Sequence, residues 1–240
     1  MALFASLLLS LFLITTSSGA PTVQSDLMNQ ISCTPEQNDI IALALQRMQD
    51  NARQAATAPN QDDWNRYFGM TPWEPIHQRY LDIAESPMPG PCRMVCDAEN
   101  RVPMCQHTDV DGPSYSVNYF IPPAHPGEAP VILLCQDWFR TRPTNGCDNP
   151  DTGVDEDGLP NSQVGALMAS YMQNQFLDST QIVGGPYGVA GSNCGRRKCV
   201  EEAAAATALD PARPGSLEWS KWSYVLYMLA VNSKSPTCAS

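Results

Sequence analysis

The chain has 240 residues, and 25 acidic against 14 basic side chains give it a net charge of −11. Such a surface repels phosphate backbones and anionic lipid, which argues against nucleic-acid and membrane-surface partners. The three adjacent cations Arg196, Arg197 and Lys198 between two cysteines read as a solvated loop, not a binding patch.

The first twenty residues carry no ionisable side chain, and residues 7–14 (LLLSLFLI) form their densest apolar run. That run is too short for a bilayer crossing, which needs ~20 residues. Ser18 and Ala20 then supply the small-x-small pattern of a signal-peptidase site. Residues 1–20 are therefore expected to be a cleaved signal peptide, residues 21–240 a single exported domain, and no later stretch is expected to span a membrane.

Beyond the leader, Thr34 with Gln37 forms a capping-box pattern, and Ile40, Ile41, Ala44, Leu45, Met48 and Ala52 recur on one helical face until Pro59. A short helix over residues 61–68 stops at Gly69. A third begins near Trp73 with Pro75 in its first turn, turning Ile76, Tyr80, Ile83 and Ala84 inward. Residues 93–96 and 101–105 flank a polar turn and resemble a hairpin. Residues 115–121 alternate in part, and residues 131–135 (VILLC) suit a buried strand. Residues 148–160 read as an acidic solvated loop, since their spacing fails the EF-hand pattern. Asn161 or Ser162 caps a helix to about residue 176 carrying Val164, Leu167, Met168, Tyr171 and Met172. Residues 184–188 form a turn, and residues 200–209 an Ala-rich helix. Ser216 caps a last helix with Trp219, Trp222, Val225, Leu226 and Leu229 on a wide apolar stripe. The order of elements predicts an α+β domain.

Nine cysteines follow the leader: Cys33, Cys92, Cys96, Cys105, Cys135, Cys147, Cys194, Cys199 and Cys238. In an oxidising compartment they predict four disulfides and one odd thiol, which is either free and buried or bridged to another chain. The sequence has no C-x-x-C pair, so a structural zinc site is not expected. No N-x-[ST] acceptor occurs, so neither is N-glycosylation.

No G-x-S-x-G elbow, Walker sequence or G-x-G-x-x-G is present, and His77, His107 and His125 are scattered. A zinc enzyme using those three histidines would need three distant loops to converge. The succession of a long first helix after Cys33, residues 64–69 (WNRYFG), the cysteine-rich segments, VILLC with Trp138 and Phe139, a helix, Pro186-Tyr187-Gly188 and a final aromatic helix resembles the deuterolysin-like (aspzincin) secreted metallopeptidases of fungi. The resemblance spans about residues 33–232. It implies a zincin-like fold, with helices flanking a small disulfide-stapled mixed sheet.

In that family the chemistry sits in H-E-x-x-H plus an aspartate of the later turn: two histidines hold zinc and the glutamate activates the bound water. Laid on this chain, the pattern puts Met168 and Met172 at the histidines, Ala169 at the glutamate and Gly184 at the aspartate, with Tyr187 and Trp138 beside the cleft. No histidine follows His125. Thioether and methyl groups replace neither imidazole nor carboxylate for this cation. The resemblance therefore implies a pseudoenzyme with no bound zinc, binding an extracellular protein or glycan through the former substrate cleft. The competing expectation is an extracellular hydrolase. It would be a metallopeptidase with a non-standard site, or a glycosidase using carboxylates such as Asp137, Asp151, Asp155, Glu156 or Asp157.

Overall fold

The computed structural model describes residues 30–57, 61–85, 92–106, 118–121, 123, 128–140, 163–175 and 220–234. The expected leader, the acidic loop at 148–160, the turn at 184–188 and the helix at 200–209 lie outside the described residues.

Helix α1 spans Pro35–Thr57. Its capping box is complete: the Thr34 amide donates to Gln37 Oε1 at 2.8 Å, and the Gln37 amide donates to Thr34 Oγ1 at 3.2 Å. Ile41, Ala44, Met48, Ala52, Ala55 and Ala56 face the core. Ile40, expected inward, is instead 39 % exposed, because the buried stripe runs through Ile41 at the next position round the helix. Helix α2, Gln61–Tyr67, ends where the Phe68 and Gly69 amides both turn back to the Trp64 carbonyl. Gly69 takes φ 58° there, a left-handed value that costs glycine little. Helix α3, Trp73–Glu85, buries Ile76, Tyr80, Ile83 and Ala84 as expected. The ends of α1 and α3 satisfy each other. Gln49 and Arg53 of α1 both donate to the Ala84 carbonyl, and His77 of α3 lies 2.8 Å from the Ala56 carbonyl through Nδ1.

The sheet has three strands in the order β1-β3-β2, with β1 at Arg93–Asp97, β2 at Asn118–Ile121 and β3 at Val131–Cys135. β3 pairs parallel to β1, with Val95 opposite Leu133, and antiparallel to β2, with Phe120 opposite Ile132. The expected hairpin between residues 93–96 and 101–105 is not formed. The buried Asp97 carboxylate accepts the Arg101 and Val102 amides at 2.8 and 2.6 Å, with Asn100, just before them, left-handed at φ 51°. Pro103 has no N–H to offer a ladder, so the chain coils into a 3-10 turn over Pro103–Gln106. β1 then pairs with the distant β3.

Helix α4, Gln136–Arg140, leaves β3 directly, followed by α5, Gln163–Gln175, and α6, Lys221–Ser233. The cap of α6 is Ser220, whose hydroxyl accepts the Ser223 amide, while Ser216 lies outside the described residues.

Strand parity divides the interior. Ile132 and Leu134 point into the main core with residues of α1 to α6. Val131, Leu133 and Cys135 point the other way, into a smaller cluster with Ile31, Val95, Val102 and Cys105. Among the described residues each face carries one disulfide. Cys33–Cys96 sits on the helical side and Cys105–Cys135 on the outer side. Cys92 is a free thiol; Cys147, Cys194, Cys199 and Cys238 lie outside the described residues. The α+β class and a small disulfide-stapled mixed sheet among helices are thus seen directly.

The side of α1 that matters for stability can be tested by adjacent substitutions. Ile41→Ala should lower unfolding free energy by about 2–5 kcal/mol, whereas Ile40→Ala should change it by no more than about 0.5 kcal/mol. Urea titration of both variants checks this, and equal losses would contradict the helix register.

Candidate functional site

Helix α5 presents the positions laid on the zinc-binding motif. Met168 and Met172 are 0 % exposed and Ala169 is 7 % exposed, all three within the main core. The helix packs against α1, α6 and β2, so these side chains enclose no open floor. The reason is local: Val164, Leu167, Met168, Tyr171 and Met172 leave α5 apolar around most of its circumference, and such a helix is stable only when covered.

Trp138, expected beside the cleft, has no exposed surface. Its indole Nε1 donates to the Gln163 carbonyl at 3.3 Å, and Gln163 Nε2 donates to the Trp138 carbonyl at 3.2 Å. This reciprocal pair fixes the start of α5 against α4. Gly184 and Tyr187 lie outside the described residues, as do His107, His125, Asp151, Asp155, Glu156 and Asp157. His77 stacks on Trp73, with ring centroids 5.2 Å apart, and is engaged at the end of α1. Asp137 is partly exposed and lies 3.8 Å from Arg140 within α4. Among the described residues no three His, Cys, Asp or Glu side chains come together around a point that could hold a metal ion. The donors that α5 supplies, two thioethers and a methyl, do not fit zinc, and no hydrolytic step can be derived through them.

Polar groups in this region do other work. Lys221, buried at the start of α6, donates to Gln173 Oε1 of α5 at 3.1 Å and lies over the Trp222 ring. Tyr171 is 1 % exposed and its hydroxyl has no hydrogen-bond partner. Burial chiefly, and then the neighbouring Cys92, hold that phenol above its ordinary range. Cys92 itself is half-buried, and burial pushes its thiol from 9.0 to about 11, partly offset by the backbone of Ile132. The odd number of cysteines signalled a leftover thiol, but no local pattern pointed to Cys92. The Lys221–Gln173 contact left no legible trace, because it depends on where the chain returns, whereas the Asp97 turn spans only four to five residues and was read as the turn of a hairpin.

A layer of rings joins α2, α3 and α6. Trp64 meets Phe68, Trp73 and Tyr227, while Tyr80 donates its hydroxyl to the Tyr224 carbonyl at 2.7 Å. Arg79 donates to the Tyr224 hydroxyl and lies over the same ring. These groups tie helices together rather than line a site. Comparison with known protein families, with curated proteins and with solved structures finds no match for the chain.

The thiolate is the reactive form of cysteine, so the raised value makes Cys92 a slow nucleophile. Alkylation of Cys92, followed by peptide mass mapping, should be slow at pH 7 and still accelerate between pH 9 and 11. A plateau near pH 9 would contradict its burial. The same shift has a sign for stability. An unfolded chain ionises this thiol from about pH 9, whereas the fold holds it neutral to about 11, so its contribution is lost as pH rises through that window.

Proposed function

We propose that the chain is a secreted, non-catalytic protein on a metallopeptidase-like scaffold that acts by binding an extracellular protein or glycan. One observation carries the reading: the positions a zinc peptidase would give to its ligands and base are Met168, Met172 and Ala169, sealed in the main core. Methionine fills irregular apolar space well, and a dry, filled interior is what such replacements favour. The mixed α+β architecture and the disulfides support the scaffold and the exported setting. Because Met168, Met172 and Trp138 have no exposed area, ligand contact belongs to the surface around these positions and not to the positions themselves.

Two measurements test the reading. The exported protein should begin at Pro21, by N-terminal sequencing of protein recovered from the medium; retention of residues 1–20 would overturn the leader. Elemental analysis should find substoichiometric zinc, and casein should survive incubation with the protein. One zinc per chain, or casein cleavage abolished by a chelator, would overturn the non-catalytic assignment.

A further inference from the structure

The two disulfides differ in what a small thiol can reach. Cys105 and Cys135 are 8 % and 1 % exposed, and Cys96 is 3 % exposed. Cys33 is half-buried, the least buried residue of the four. Disulfide exchange needs in-line access of a thiolate to a sulfur, so attack at Cys33 is the open route.

Cys33 also ends a short segment that does two jobs. Ile31 is 5 % exposed and plugs the small outer cluster, packing with Val95, Val102, Val131 and Leu133. Two residues on, Cys33 packs against the helical core and is bonded to Cys96. The intervening Ser32 is exposed. The segment thus passes from the outer face of the sheet to its inner face beside β1, an edge strand, and the disulfide is its covalent tie to the sheet. Ile31 is one of the seven buried residues described in the outer cluster, far fewer than in the main core, so its loss removes a sizeable part of that packing.

We propose that Gln30–Thr34 is a redox-held strap: reduction of Cys33–Cys96 releases Ile31 and uncovers the outer face of the sheet, while the helical core and Cys105–Cys135 stay intact. The step is a two-electron exchange. A low-molecular-weight thiol attacks Cys33 Sγ, a second displaces the mixed disulfide, and the products are two protein thiols and the oxidised small disulfide. The inference is independent of the binding role proposed above.

The full chain is titrated with dithiothreitol under native conditions, alkylated and peptide-mapped, with far-UV circular dichroism and an apolar fluorescent dye read in parallel. Cys33 and Cys96 should take label before Cys105 and Cys135. Dye fluorescence should rise at that first stage while helical ellipticity is kept. Ile31→Ala should raise dye fluorescence in the oxidised protein, with both bridges retained. Labelling of Cys105 and Cys135 first or together with the other pair, loss of ellipticity at the first stage, or no dye response in either protein would overturn the proposal.

Discussion

The central strand, Val131–Cys135, is hydrogen-bonded on both sides, and its five side chains are all buried. Alternation along it sends Ile132 and Leu134 to the helices and Val131, Leu133 and Cys135 to the outer cluster. Slipping this strand by one residue would exchange the two sets, so its register is strongly specified. The parallel partner β1 repeats the division, with Met94 and Cys96 on the helical side and Val95 on the other. The two disulfides then lock one face each, and α4 leaves β3 without an intervening loop. Much of the described fold is arranged around this one strand.

The polar interior follows the same logic of satisfaction at a distance. Helix ends leave carbonyls without intrahelical partners, and here side chains of other elements fill that need. Gln49 and Arg53 serve Ala84 near the end of α3, and, away from any helix end, Asn232 of α6 also donates to the Asn51 carbonyl within α1 at 3.0 Å. Just beyond α6, Lys234 contacts both oxygens of Asp63, which is almost wholly buried. The Trp138–Gln163 exchange does the same between α4 and α5. An unmet buried group costs about 1–3 kcal/mol, so these contacts select the helix arrangement as well as stabilise it. The partnerless Tyr171 hydroxyl is an exception, and it lies beside the free thiol of Cys92.

For function, the decisive physical fact is that α5 is covered. A helix that supplies metal ligands must keep imidazoles and a carboxylate turned to a wet cleft, whereas this one turns Met168, Tyr171 and Met172 into protein. The methionine spacing of four residues puts both on one face, where histidines would act together in a peptidase and where thioethers here join the packing.

Local chemistry made much of this visible in the sequence. The Thr34–Gln37 cap, the stop at Gly69, the buried faces of α1 and α3, the VILLC strand and the apolar α5 all rest on short-range periodicity and capping, which residues a few positions apart determine. What needed tertiary structure was every choice between distant partners. The sequence could not say that residues 93–97 pair with 131–135 instead of with their own neighbour, since β3 lies more than thirty residues further along the chain. Nor could it say which cysteines join, or that Cys92 stands free, because disulfide geometry is set by where strands and turns meet. Above all, Met168 and Met172 could be read as a cleft floor or as core until neighbouring helices covered them. Residue types and spacing were fixed by the chain; exposure was decided by packing.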